Sequence, residues 1–202
     1  IKTEWKIVNK AFEVLKINPE TISKGEYDHF MLKEINEQPS ILKRIFMWRI
    51  DFEHNKINAD WLSTIDFWSI KKIVFVWCWS SYYAWELGAL WIQDFAWIDA
   101  RAVVASEYIH QFIDCSPSTL HVFISQSWET ADVIKVLDLI NQKKWKTFGV
   151  VNVVGSSIAR LTSNGMFTRA WFEIWVSSTK AFISQLITLF IISLQFWIHN
   201  DM

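Results

Sequence analysis

The sequence predicts an α/β fold: a three-layer sandwich with a doubly wound parallel sheet as its middle layer. After Lys72, short runs rich in Val and Ile alternate with stretches of helical periodicity. This alternation is typical of parallel strands that helices cover on both faces. The chain has 202 residues, of which 51% are hydrophobic and 20% charged, so it is long enough to bury one core of this kind.

The region before the sheet is predicted to be a linker. Residues 1–25 are polar, and we expect them to be the end of an upstream domain. The stretch YDHFMLKEINEQPSILKRIF (27–46) has helical periodicity but contains Pro39. Because a proline disfavours helical geometry at the residue before it, two short helices are predicted here. The chain is thus divided into an upstream end (1–25), a helical linker (26–70) and one sandwich domain (71–202).

Each element of the sandwich has its own apolar pattern. Buried strands are predicted where β-branched and other apolar residues run together, and helices where apolar residues recur every three or four positions. The strands are KIVFVWC (72–78), ARAVVAS (100–106), LHVFISQS (120–127) and KTFGVVNVV (146–154). The helices are YYAWELGALWIQDFA (82–96), ETADVIKVLDLINQKK (129–144) and a final one within AFISQLITLFIISLQFWI (181–198).

The final predicted helix could be either a membrane span or a buried core helix. It carries no charge over about the length that a bilayer needs. Polar residues nevertheless recur along it, and a single lipid-facing helix would rarely carry two glutamines: Ser184, Gln185, Thr188, Ser193 and Gln195. A buried core helix is therefore favoured over a membrane span.

Composition argues against several classes of protein. The formal net charge of −1 provides no attraction for nucleic acid or for an anionic membrane. Cys78 and Cys115 are too few for a disulfide framework and lie in no zinc-spaced cluster, so neither a metal nor another cofactor is expected. A cytoplasmic location is expected. The charged start IKTEWKIVNK has neither a signal peptide nor a Met, which favours a piece of a longer chain.

Hydroxyl-rich turns follow three of the predicted strands, where ligands of open parallel sheets bind. They are CWSS (78–81), SQSWET (125–130) and GSS (155–157). The first two lead into helices, whose free N–H groups and dipoles favour an anion. A phosphate could be held without any Lys or Arg by Ser80, Ser81, Ser125, Ser127 and Thr130. The alternative is that these residues are only helix caps, since Ser and Thr are the usual N-cap residues.

Other candidate residues are weaker. The five histidines have no metal or catalytic partner at helical spacing, so surface or hydrogen-bonded roles are favoured. Cys78 has no identifiable activating His, which favours a small buried residue over a nucleophile. Lys180 could contact a phosphate or be solvated, and Glu129 and Glu173 are expected to be solvated or to cap helices.

These turns resemble a known family. SQSWETAD (125–132) is similar to the SQSGETAD signature of the sugar isomerase (SIS) domain in glucosamine-6-phosphate synthases, and VWCWSSYYA (76–84) to their ACGTSYYA turn. GVVNVVGSSIAR resembles VNVxGSSIAR, EIWVSSTKAFISQL resembles EIGVASTKAFTAQL, and the linker resembles HxMxKEIxEQP. The match runs in unbroken order from about residue 25 to the end of the chain.

The resemblance implies contacts with fructose 6-phosphate at three segments. They are Cys78, Trp79, Ser80 and Ser81 after the first strand, Ser125, Gln126, Ser127 and Thr130 after the third, and Val176 and Ser178 before the last helix. In the family, the catalytic Glu, Lys and His lie in a second isomerase domain and the carboxyl-terminal tail. No catalytic residue is therefore assigned to this chain.

The resemblance also implies the activity of a parent enzyme, an isomerising glutamine–fructose-6-phosphate aminotransferase. That enzyme uses glutamine-derived ammonia to form glucosamine 6-phosphate for amino-sugar biosynthesis, and a homodimer is expected. By itself this chain would bind weakly and not turn over. An alternative is a non-catalytic SIS domain that senses a sugar phosphate, as in transcription regulators. KEINEQP (33–39) favours the synthase, because regulators carry a helix-turn-helix there.

Tryptophan is abundant and glycine is scarce, with 14 Trp and 5 Gly. Glycines of the family motifs are replaced by Trp48, Trp79, Trp128, Trp171 and Trp175, and further turns or small-residue positions hold Trp77, Trp85, Trp97 and Trp145. Only Trp91 matches a family Trp. With the other 13 read as Gly, glycine would number 18, about 9% of the chain, which is unremarkable. Our hypothesis is that most of these tryptophans are UGA-encoded glycines. If they are real, a Trp-rich membrane or aggregating polypeptide is a third alternative.

Overall fold

A long helix leads the chain into the sheet. The computed structural model describes residues 22–54, 56–58, 65–78, 82–113, 116–125 and 131–201. Helix α1 (Phe30–Arg49) continues through Pro39, so the prediction of two short helices is wrong. Proline removes the hydrogen bond that its missing N–H would donate, and its ring crowds the carbonyl four residues earlier. Burial of Ile41 and Ile45 beyond the proline holds the second half of the helix against the core.

A small hairpin follows α1. Strand β1 (Ile50–Asp51) pairs antiparallel with β2 (Lys56–Ile57), and a turn of 3-10 helix (Phe67–Ser69) precedes the main sheet. In the hairpin turn the Asp51 carboxylate accepts the N–H groups of Glu53 and His54 and contacts the His54 ring at 2.8 Å. The hydrogen bond with His54 lowers the pKa of Asp51. The linker region is thus locally ordered where it is described.

Five parallel strands form the central sheet in the order β4-β3-β5-β6-β7. Their bounds are β3 (Lys72–Trp77), β4 (Asp99–Val104), β5 (Thr119–Ser125), β6 (Lys146–Val151) and β7 (Asn164–Phe167). The chain places β4 on one side of β3 and then crosses to the other side to form β5. The boundary between β3 and β5 is the neighbourhood of the topological switch point, where ligands of such sheets bind at the carboxyl ends of the strands.

Helices cover both faces of this sheet. They are α2 (Tyr82–Ala96), α3 (Ala105–Tyr108), α4 (Ala131–Gln142), α5 (Ser157–Leu161) and α6 (Lys180–Asp201). Alternate residues of β3 separate the two cores: Ile73 and Phe75 pack with α1, α2 and α6, whereas Val74 and Val76 pack with α3, α4 and α5. The predicted three-layer sandwich with a doubly wound parallel sheet is confirmed.

Most predicted elements are present with shifted ends. The predicted strand 100–106 ends at Val104, because Ala105 and Ser106 already belong to α3. The ends 126–127 and 129–130 of two other predicted elements lie outside the described residues. Strand β7 was not predicted, because LTSNGMFTRA contains no apolar run. Its Gly165 lies against β6 so closely that an added Cβ would be 2.8 Å from Gly149 O.

Helix α6 packs in the core. By length and composition it could cross a membrane, since Lys180–Asn200 has a mean hydropathy of 1.9, but half of this stretch is buried inside the fold. Its polar residues lie on the buried side, where Ser184 and Ser193 donate to the carbonyls of Lys180 and Leu189. The prediction of a buried core helix agrees with this packing.

Candidate functional site

The first two serine turns start from neighbouring strands. Strands β3 and β5 pair in register through Val76 and Phe123, and this register continued by two residues brings Cys78 opposite Ser125. Cys78 is half-buried and Ser125 is buried at the end of β5. The switch point therefore brings together one residue from each of the two predicted phosphate turns.

The Cys78 side chain is held as a thiol. Burial raises the pKa of Cys78, and the nearby Asp132 carboxylate raises this pKa further; the backbone N–H groups of Ala105 and Ser106 act in the opposite direction. A protonated thiol is a poor nucleophile. This agrees with the prediction of a small buried residue in preference to a reactive one.

Six of the predicted site residues lie outside the described residues: Trp79, Ser80, Ser81, Gln126, Ser127 and Thr130. Their contacts remain predictions. The third serine turn is described, and it serves as a cap: Ser156 accepts the N–H of Ala159 at the start of α5, and Ser157 accepts from Arg160. The capping alternative therefore holds for this turn.

The remaining two predicted residues lie in the segment 171–179, which we call the α6 loop. The Val176 side chain is 97% exposed. The Ser178 hydroxyl donates to Glu173 Oε2 at 3.0 Å. The other oxygen of Glu173 accepts the N–H groups of Thr179 (2.7 Å) and Ala181 (3.2 Å). This carboxylate therefore caps α6, which is one of the two roles expected for it. A negative charge already occupies this helix N-terminus and disfavours a phosphate there.

Two residues that the sequence analysis did not assign hold the α6 loop from outside. Glu34 of α1 accepts the N–H of Ile174 at 2.7 Å and that of Trp175 at 3.3 Å. Asn152, just after β6, donates to Trp171 O at 3.0 Å and accepts the N–H of Ala170 at 2.8 Å. The KEINEQP motif (33–39) was the signal for Glu34, but its partners lie about 140 residues away in the sequence and could not be inferred.

The other weak candidates have structural roles. Lys180 is buried, with Nζ 2.6 Å from Glu37 Oε2, so it is neither solvated nor free for a phosphate. His121 is buried and hydrogen-bonded to Tyr108 Oη. Glu129 lies outside the described residues. Within the described ranges, no group of three or more His, Cys, Asp or Glu residues could hold a metal ion.

The described tryptophans occupy contrasting environments. Trp97 and Trp171 adopt φ of 56° and 62°, in the left-handed region that favours glycine. Trp85 is fully buried, and its Nε1 has no hydrogen-bond partner among the described residues. Trp77 is also accommodated in the core. The backbone thus shows a preference for glycine at two of the suspect positions, while the sandwich has room for indoles at two others.

An arginine-lined cavity of about 680 Å³ adjoins the start of the α6 loop. Burial and, to a smaller extent, the positive charge of the nearby Arg169 lower the pKa of Arg49 to about 10. Arg44 lies over the Trp171 ring and Arg169 over the Trp48 ring. The predicted site residues that the structure describes, Cys78, Ser125, Val176 and Ser178, do not line this cavity.

Comparison with known proteins identifies the domain. The family model of the SIS domain matches residues 66–192, most of the chain. In a structural comparison, the C-terminal domain of glucosamine-fructose-6-phosphate aminotransferase from Francisella tularensis superposes with a TM-score of 0.80 and 32% identity, over 89% of this chain and 50% of that one. A glucosamine-6-phosphate deaminase from Thermotoga maritima, at 22% identity and a TM-score of 0.67 over 84% of this chain and 49% of that one, shares the fold.

Curated relatives agree with this match. The isomerizing glutamine–fructose-6-phosphate aminotransferase of Chlorobaculum tepidum is 37% identical over 92% of this chain, and that of Caldanaerobacter subterraneus is 39% identical over 95%. The Saccharomyces cerevisiae enzyme is 34% identical over 93%. The chain spans 30%, 31% and 26% of the lengths of these three relatives. The chain belongs to the SIS domain family and is a homologue of the SIS region of isomerizing glutamine–fructose-6-phosphate aminotransferases.

Proposed function

We propose that this chain is the fructose 6-phosphate-holding region of an isomerizing glutamine–fructose-6-phosphate aminotransferase. The supporting observation is the juxtaposition of Cys78 and Ser125 at the switch point, because each begins a motif that resembles a sugar-phosphate turn of that family. Ligands bind at this place in doubly wound sheets in general. The site therefore agrees with the family membership and with the general rule.

In the proposed complex the phosphate lies between the two turns and the sugar reaches the α6 loop. Backbone N–H groups and hydroxyls bind the phosphate, and the exposed Val176 and the Ser178 hydroxyl contact the sugar. The Glu173 carboxylate at the start of α6 supports this orientation, because it repels an anion from the third segment. The phosphate-binding residues are Ser80, Ser81, Ser125, Gln126, Ser127 and Thr130, with Cys78 and Trp79 beside the sugar.

The proposed parent enzyme works in the cytoplasm as a homodimer. It converts fructose 6-phosphate to glucosamine 6-phosphate with glutamine-derived ammonia, for amino-sugar biosynthesis. Residues 1–25 are the end of its glutaminase domain, 26–70 its linker and 71–202 its first isomerase domain. The reacting groups belong to other parts of that enzyme, so this region binds and orients the sugar phosphate.

The binding site is tested with Ser125→Ala and Thr130→Ala in the full-length parent protein. A hydrogen bond to a charged group contributes about 1.5–3 kcal/mol, so each change is expected to raise the Kd for fructose 6-phosphate about tenfold or more. Isothermal titration calorimetry measures this. Ser193→Ala is the matched control, because Ser193 is a buried serine of α6 whose hydroxyl donates within its own helix, to Leu189 O. Unchanged affinity in both site variants would show that the phosphate lies elsewhere.

We also propose that most of the 14 tryptophans are glycines encoded by UGA. The positive φ of Trp97 and Trp171 supports this, as does the buried indole N–H of Trp85, which has no hydrogen-bond partner in the described part of the chain. Each feature is unfavourable for Trp and is removed by Gly. The contacts of Arg44 and Arg169 with tryptophan rings would then be absent from the native protein.

The codons decide this proposal. UGA at positions 79, 128, 171 and 175 supports recoding, and UGG at those positions refutes it. Mass spectrometry of the protein from its native source is the independent measurement, since every glycine in place of tryptophan lowers the mass by the difference between the two residues. Codon 91 is the internal control and is expected to be UGG.

A further inference from the structure

We infer that Glu34 of α1 is a positioning residue for the sugar-contacting part of the α6 loop. This role rests on the proposed function and adds to it a group outside the sugar-phosphate turns. Glu34 is 2% exposed, although burial of a carboxylate is unfavourable unless strong hydrogen bonds compensate for it. Its partners are the main-chain N–H groups of Ile174 and Trp175, at 2.7 and 3.3 Å from Oε1.

The position of these hydrogen bonds in the loop gives Glu34 its effect. Trp175 directly precedes Val176, so a carboxylate bound at 174 and 175 fixes the direction of the main chain where it reaches the first sugar-contacting residue. On the other side, Glu173 binds Ser178, Thr179 and Ala181. Val176 and Ser177 therefore lie between two segments that carboxylates hold.

The α6 loop has little other support. It contains neither helix nor strand between 171 and 179. Among the described residues, no hydrogen bond between backbone groups involves 171–178. Side-chain hydrogen bonds from Glu34, Asn152 and Glu173 therefore hold its main chain, and Glu34 is the residue among these three that belongs to the linker helix. The placement of α1 on the sandwich is in this way coupled to the placement of Val176.

The second carboxylate oxygen of Glu34 shows which substitution should retain the positioning role. Glu34 Oε2 is buried and has no hydrogen-bond partner among the described residues. An unpaired buried acceptor is unfavourable for stability. Glutamine would keep the Oε1 acceptor for Ile174 and Trp175 and would remove the buried charge. Glu34→Gln is consequently the conservative variant that should retain the positioning role.

The experiment uses the full-length parent protein with Glu34→Ala, Glu34→Gln and the control Ile41→Ala. Ile41 is buried two turns further along α1, so its truncation destabilises the packing of the helix without removing an acceptor from the loop. We expect Glu34→Ala to raise the Kd and KM for fructose 6-phosphate about tenfold with little change in kcat. Glu34→Gln should stay within about threefold of the wild type, and Ile41→Ala within about twofold, although it lowers Tm.

Hydrogen exchange provides a readout that does not need the sugar. Glu34→Ala should speed amide exchange at 174 and 175 more than Ile41→Ala does. The positioning role is overturned if Glu34→Ala binds as the wild type does, if Ile41→Ala loses affinity equally, or if Glu34→Gln fails to rescue. A wild-type protein that does not bind fructose 6-phosphate overturns the proposed function and the positioning role with it, while slow exchange at 174 and 175 would still report the hydrogen bonds themselves.

Discussion

At the scale of single residues, the protonation of Cys78 has a measurable consequence. Burial, followed by the nearby Asp132, raises the pKa of this thiol, so the folded protein keeps the proton at a pH where the unfolded chain has lost it. The resulting stabilisation is present below the unfolded pKa and is lost as pH rises through the folded pKa. In a Cys115→Ser variant, alkylation of Cys78 by iodoacetamide should be slow at pH 7 and reach its half-maximal rate at a higher pH than in the denatured chain. An equal or lower midpoint in the folded protein would contradict this.

Trp97 and Trp171 lead to a second prediction at this scale. A non-glycine residue with positive φ raises the free energy of the folded state by about 1–3 kcal/mol, and Trp97 is 90% exposed, so little packing is lost on truncation. Trp97→Gly is expected to increase the free energy of unfolding by about 1 kcal/mol, and Trp171→Gly to change it in the same direction by less, because the contact with Arg44 is lost.

Urea denaturation measures both variants. Trp91→Gly is the matched control, because Trp91 lies within α2 and packs against Phe190. This control should decrease the free energy of unfolding by about 3 kcal/mol or more. A loss of stability in Trp97→Gly similar to that of the control would show that the left-handed backbone is not strained there.

At the scale of elements, α1 shows how tertiary packing overrides a local signal. Pro39 is exposed within the helix and cannot donate the hydrogen bond that Ile35 O would accept. Pro39→Ala restores this donor and is expected to increase the free energy of unfolding by about 1–2 kcal/mol, less than the full difference in helix propensity because the unfolded chain also gains freedom. Chemical denaturation measures the change, with Ser118→Ala outside α1 as a control. Destabilisation would mean that the proline geometry itself is required.

The strands and helices differ in how far the sequence determines them. Apolar runs predicted β3, β5 and β6 to within a few residues, because strands buried on both faces leave a continuous signal. Strand β7 left none, since it depends on the close approach of Gly165 to β6. Pro39 was misinterpreted because the burial of Ile41 and Ile45, which holds the helix together, depends on contacts with distant parts of the chain. The turn motifs located Cys78 and Ser125, but the anchoring by Glu34 and Asn152 required the three-dimensional structure.

At the scale of the whole molecule, an ion pair joins the linker helix to the sandwich. Lys180 at the start of α6 is buried and lies 2.6 Å from Glu37 of α1. Glu37 is partly exposed, but its removal leaves the charge of the buried Lys180 uncompensated. Glu37→Met is therefore expected to decrease the free energy of unfolding by about 2–4 kcal/mol.

The double variant Glu37→Met with Lys180→Met should recover most of this loss, because two apolar side chains replace the pair without leaving a buried charge. Urea denaturation of the two single variants and the double variant forms a complete double-mutant cycle. Additive losses would show that the two charges contribute independently and that their pairing does not hold α1 on the sandwich.

The contact between Glu34 and the α6 loop has one consequence for the identity of residue 175. Glu34 binds the main-chain N–H groups of Ile174 and Trp175, and every amino acid except proline supplies such a group. These hydrogen bonds therefore do not depend on the side chain at 175, and they form whether the ribosome inserts tryptophan or glycine there. A change in the meaning of a codon can alter the surface of this loop without releasing it from the helix that anchors it.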